Sequence, residues 1–136
     1  FPRLREGLLV LHEAKGRAQL GLALSGGDIC PLYDWLQNLP IDILAVDAVR
    51  SPRIVDMVSD RETGLTLAMG FADAESVSLE DHGPIRDALT RILPGISAPH
   101  IHLQPAASLA KLSSEQAETK LGNLVALAQT FAQPAV

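Results

Sequence analysis

Leu39-Pro40-Ile41-Asp42-Ile43-Leu44-Ala45-Val46-Asp47-Ala48-Val49-Arg50-Ser51-Pro52 is the stretch on which the fold turns. Its middle, residues 42–48, is a short aliphatic run without the alternation of a half-exposed strand, as expected of a parallel strand buried on both faces. Polar residues follow at once, Asp47, Arg50 and Ser51, and Pro52 opens a segment whose Ile54, Val55 and Val58 turn inward at helical spacing. A strand, a polar turn and a helix in that order make one unit of a parallel α/β sheet.

The same unit recurs on both sides. Upstream lie a helix over residues 3–14, a strand over 18–24, and a helix capped by Asp28 with Ile29, Leu32, Leu36 and Leu39 inward and Pro31 in its first turn. Downstream, a strand over 64–70 leads to a helix from Gly83 through Ile85, Leu89, Ile92 and Leu93 to a Pro94-Gly95 stop. A strand over 99–104 precedes the last helix, where Ser113 and Gln116 match a capping box and Ala117, Leu121, Leu124, Val125, Ala128 and Phe131 form one stripe. This alternation, with no hairpin signal, means parallel strands joined by right-handed crossovers. Two architectures fit: a self-contained, flavodoxin-like doubly wound sheet, or four consecutive units of an eight-unit barrel. The leading helix and the lack of an initiator Met at Phe1 favour the second, with residues 1–136 forming one partial domain.

Composition narrows the class. Of 136 residues 47% are hydrophobic and 4% aromatic, so the core is aliphatic and the chain is not disordered. A net charge of −5 without a basic cluster argues against nucleic acid and anionic membrane as partners. Cys30, the single cysteine, forms no internal disulfide and suits a reducing, cytoplasmic setting. No apolar run reaches the roughly 20 residues that span a bilayer.

In either architecture ligands meet the carboxyl ends of the strands. Ser25-Gly26-Gly27-Asp28 there reads either as an anion cradle or as a tight turn with a helix cap. Asp47 ends an apolar strand and needs a partner, which Arg50 could be; Arg50 could equally hold a substrate carboxylate. Asp73 and Glu75 could supply acid–base or ligand oxygens or simply be solvated, and the long loop over residues 71–82 reads as a lid or binding loop. His100 and His102 share one strand face, either as metal ligands or as the polar side of an alternating strand. Gln104 closes the set at the end of the last strand.

These motifs resemble those of the cobalamin-independent methionine synthase family, whose TIM barrels share a superfamily with uroporphyrinogen decarboxylase. Residues 39–52 resemble the "LPVdglhlDlVRgP" segment of its N-terminal barrel, and residues 70–81 resemble "GvvDGRNiWraDl" there, with Asp47, Arg50 and Asp73 matching. Residues 103–109 occupy the place of "apSCSLLH" in that domain or "nPDCGLkt" in the catalytic one. The resemblance implies the fifth to eighth units of a TIM barrel and a family reaction, methyl transfer from methyl-tetrahydrofolate to homocysteine. It implies substrate-binding roles for Ser25, Asp47, Arg50, Asp73 and Gln104, with folate or an amino acid as ligand and the missing N-terminal half of the barrel as partner. The family's zinc ligands, a His-x-Cys, an acid and a Cys, fall on Gly21, Ala23, Asp47 and Ala107, so only the acid is present. The chain therefore resembles the N-terminal-type barrel or a degenerate paralogue, with no zinc of its own and zinc, if any, elsewhere in the parent chain. A non-catalytic binding or scaffold barrel is the alternative.

Overall fold

The structure, a computed structural model, describes residues 2–132. The apolar runs become β1 (Gly21–Leu24), β2 (Ile43–Asp47), β3 (Thr66–Ala72) and β4 (His102–Pro105), all parallel and in the order β1-β2-β3-β4. The helices are α1 (Pro2–Ala14), α2 (Tyr33–Leu36), α3 (Ile54–Asp60), α4 (His82–Ile92) and α5 (Ser114–Ala132).

Register sorts the side chains into two faces. Leu22, Leu44 and Leu67 form one row and Leu24, Val46, Met69 and Leu103 the next, and these pack with Ile54, Val58, Ile85, Leu89 and Ile92 of the helices into one core. The opposite face carries smaller groups: Ala23, Ala45 and Ala68 in a row with His102, and Asp47, Gly70 and Gln104 at the carboxyl end. A sequential strand order with right-handed crossovers keeps all connecting helices on one side of the sheet. A doubly wound sheet needs a reversal of order, and the described residues contain none, so the flavodoxin-like expectation lacks its architecture.

Gly70 sits at the tightest point. A Cβ there would lie 2.7 Å from the Ala106 Cα and 2.9 Å from the Val46 carbonyl oxygen, so the chain leaving β4 crosses directly over β3. The β3–β4 register shifts between Gly70 and Ala72 at the same place. This crossing brings Ala106 and Ala107 over the sheet's carboxyl edge.

Two elements differ from expectation. The helix expected from Asp28 shrinks to a 3-10 turn at Cys30–Leu32 followed by the single turn of α2, because Pro31 lacks an N–H and biases Cys30 away from α geometry. On α5 the capping box forms as read, with Gln116 N donating to Ser113 Oγ at 3.2 Å and Ser113 N to Gln116 Oε1 at 3.0 Å. The buried stripe, however, is Lys120, Leu124 and Leu127, whereas Leu121, Val125 and Phe131 are exposed. No strand lies beyond β4 among the described residues to cover them.

Candidate functional site

Asp47 organises the carboxyl end of the sheet. It is 4% exposed, and its Oδ1 accepts the backbone N–H groups of Val49 at 3.0 Å and Arg50 at 2.8 Å, while Oδ2 takes a longer bond from Gly26 N at 3.4 Å. Of the two readings of Arg50, the side-chain ion pair with Asp47 does not form: three residues in a tight turn bring the Arg50 amide, not its guanidinium, to the carboxylate. Ser51, fully buried, accepts from Ile29 N at 2.9 Å and donates to the Gly27 carbonyl at 2.8 Å. The Ser25-Gly26-Gly27-Asp28 segment is a turn, with Gly26 at φ +80, that this serine staples to the next loop. Asp28 accepts the Cys30 N–H at 3.0 Å, which holds its carboxyl below the usual range, and burial pushes the Cys30 thiol up.

Freed from Asp47, the Arg50 guanidinium reaches across the mouth. Its Nη2 donates to Glu75 Oε2 at 2.7 Å and lies 3.7 Å from Asp73 Oδ1. Lys111, on the 3-10 turn Leu109–Lys111 after β4, donates to the other Glu75 oxygen at 2.6 Å. Lys111 and then Arg50 hold the Glu75 carboxyl below its ordinary value.

The loop over residues 71–82, which reads as a lid or binding loop, is clamped at its base. Lys120 of α5, buried, donates from Nζ to the Ser78 carbonyl at 2.6 Å and to Glu80 Oε1 at 2.7 Å, and the same oxygen accepts the Asp73 N–H at 3.0 Å. Asn123 adds a bond to the Glu80 carbonyl at 3.1 Å, and its Oδ1 lies 2.8 Å from the His82 ring nitrogen Nε2. Sequence reasoning missed Lys120, Glu80, Asn123 and Lys111. The one available signal was a lysine one turn before Leu124, inside the apolar run of α5.

Ser25, Asp47, Arg50 and Asp73, four of the five expected binding residues, line one cleft of about 90 Å³ with Glu75, Gly26, Ala106 and Ala107. Gln104 shares the carboxyl-end row with Asp47 and Gly70 but does not line this cleft. Ligand pockets run to about 300–1,000 Å³, so these walls make part of a site. A second hollow, lined by Leu89, Leu93, Ile101, Leu103, Ala128 and Phe131, is apolar and carries no chemistry. His100 and His102 stack edge to face at 5.1 Å on an exposed edge. Among the described residues no three His, Cys, Asp or Glu side chains converge as a metal site would require. At the positions matching the family's zinc ligands, Gly21, Ala23 and Ala107 offer no side-chain donor and Asp47 is committed to backbone amides, so these residues do not fit that ion.

A parallel four-stranded sheet with sequential strands, connecting helices and a polar cleft at its carboxyl ends places the chain in the α/β class. A family model for the catalytic domain of cobalamin-independent synthase matches residues 6–130, and the chain belongs to that family. The match is to the catalytic domain's model, where the motif comparison favoured the N-terminal-type barrel. Among solved structures, the chain is similar to the B12-independent methionine synthase from Shewanella sp. W3-18-1 in complex with selenomethionine, at 19% identity and a TM-score of 0.66. That likeness shows the fold; it covers 85% of this chain, which spans 39% of the Shewanella protein. A search of curated proteins found no match. No helix among the described residues is long and apolar enough to cross a membrane.

Proposed function

We propose that the chain is the second half of a (β/α)8 barrel in a methionine synthase-type methyltransferase of the cytoplasm. In this reading it supplies half of a small-molecule site and no zinc ligands, with any zinc held elsewhere in the parent chain. The observation that carries the reading is the cleft: side chains from three successive strand ends, Ser25, Asp47 with Arg50, and Asp73, face one space at the edge where such barrels bind ligands. Arg50 is suited to a substrate carboxylate and Asp73 to an ammonium group, the two ends of an amino acid. Both edge strands, β1 and β4, are only partly buried, consistent with four further strands in the assembled domain.

A second reading, a binding or scaffold barrel without catalysis, is favoured by the missing donors at Gly21, Ala23 and Ala107. One experiment separates the two. The full-length parent protein is assayed for zinc content and for methyl transfer from methyl-tetrahydrofolate to homocysteine. Transfer supports the methyltransferase; an inert, folded barrel that binds L-methionine supports the scaffold. If the 136 residues alone stay a monodisperse monomer at the highest attainable concentration, the half-barrel reading is refuted.

A further inference from the structure

We infer that Arg50 and Lys111 form a carboxylate-binding pair whose place is held by Glu75, so that a ligand carboxylate enters the mouth by exchange with Glu75. The inference rests on the reading of the cleft as a small-molecule site and adds a residue, Lys111, and an order of events to it.

Three loops meet here. Arg50 comes from the loop after β2, Glu75 from the loop after β3 and Lys111 from the turn after β4. The Glu75 carboxylate gives one oxygen to each cation, at 2.7 Å to Arg50 and 2.6 Å to Lys111. A ligand carboxylate in that position would accept the same two charge-assisted bonds, one from a guanidinium and one from an ammonium. Glu75 is suited to leave. Its side chain is 53% exposed, and water solvates it on release, so little holds it besides two screened ion pairs. The clamp on the loop's base acts at Asp73, Ser78 and Glu80, leaving the Glu75 side chain free to rotate.

Charge permits the exchange. With Glu75 in place the two cations are answered; with it rotated out the remaining acids of the cleft are Asp73, 3.7 Å from Arg50, and Asp47, whose carboxylate is engaged by the Gly26, Val49 and Arg50 N–H groups. The rest of the lining includes Gly26, Ala106 and Ala107, which carry no charge to repel an anion and little bulk to exclude one.

The test follows the melting temperature of the full chain, at low micromolar concentration and fixed ionic strength, against added glutarate and, separately, L-methionine. Glu75→Gln removes the resident carboxylate while keeping its shape. If Glu75 fills the pair about nine-tenths of the time, Glu75→Gln lowers the half-saturating concentration about tenfold. Adding Lys111→Met to Glu75→Gln returns it to or above the wild-type value. A response to glutarate alone identifies a dicarboxylate as the ligand class, and a response to L-methionine identifies the α-carboxylate of an amino acid. Unchanged or weaker binding by Glu75→Gln overturns the exchange. Arg50→Met in the Glu75→Gln background separates this failure from that of the site itself. Binding that needs Arg50 but ignores Glu75 and Lys111 sinks only the exchange; binding that ignores Arg50, or is absent from every variant, sinks the site as well.

Discussion

Replacing Lys120 by methionine keeps the aliphatic stem that lies under the loop over residues 73–81 and deletes the ammonium against which Glu80 is buried. The Lys120 side chain is 1% exposed and that of Glu80 13%, so the pair is shielded from solvent, and the second carboxylate oxygen, Oε2, is already buried without a partner. Breaking a buried pair from one side typically costs about 3–5 kcal/mol, because the remaining charge has neither water nor a counter-ion. For a chain of this length that is a fall in Tm of about 10–17 °C. Replacing both residues by methionine removes the stranded charge, and the remaining losses are the acceptor of the Asp73 N–H and the donor to the Ser78 carbonyl, about 2 kcal/mol together. Urea unfolding followed by circular dichroism, at low micromolar concentration, gives both numbers if the slope m is unchanged. A single variant costing less than about 1 kcal/mol would mean the pair behaves as an exposed one, and equal losses in single and double variants would mean no coupling; either result refutes the reasoning.

Gly70→Ala should cost about 1–3 kcal/mol, since its methyl meets backbone at Ala106 and Val46 and neither can yield as a side chain would; the urea midpoint checks this. Asp42, which accepts the Leu20 N–H at 2.7 Å and pairs with Lys15 at 2.8 Å, is held below its ordinary 3.8 by these two contacts in that order. A depressed carboxyl stabilises the fold above its unfolded pKa and loses that contribution as pH falls through its folded pKa, so stability should drop below about pH 4. Asp42→Asn should make Tm flatter across that window, and an equally steep curve for the variant would remove Asp42 from the account. Cys30 is 5% exposed and its thiol is pushed up from 9.0 by burial, so a thiol-specific reagent should modify it slowly in the native chain and rapidly in urea. Leu121→Glu with Val125→Glu should reduce concentration-dependent association, measured by sedimentation, because both side chains are exposed on α5.

The alternation of strands and helices was legible because each strand is a compact aliphatic run and each crossover begins with a proline, a capping residue or both. The mouth was legible for a related reason: Asp47, Arg50 and Asp73 are polar residues immediately after such runs, and chain direction alone puts them on one edge. Partner choice was not legible. Asp47 and Arg50 are three residues apart in a turn, and only the turn's geometry decides that the amide rather than the guanidinium serves the acid. The α5 stripe failed similarly, since Leu121 and Val125 fit the helical period as well as Leu127 does, and which side faces inward depends on where β4 and the Ser78–Glu80 backbone lie. Lys120 reads as a surface residue until a buried carboxylate, forty residues earlier, is placed beside it. The second helix was overdrawn because hydrophobic period persists through Leu36 and Leu39 even though the backbone after Pro31 makes barely a turn.

Among the described residues five α-helices accompany four strands, with α1 ahead of the first strand and α5 behind the last. Two copies joined edge to edge, β4 of one against β1 of the other, would have to seat ten helices around a ring of eight strands, where a (β/α)8 barrel seats one per strand. At each seam α5 of one copy and α1 of the next would compete for a single berth. A symmetric pair therefore cannot seal itself, and any stacking of copies through their free edges leaves a new free edge behind. Such growth has no natural stopping number, so light scattering should climb steadily with concentration instead of levelling at the mass of a dimer.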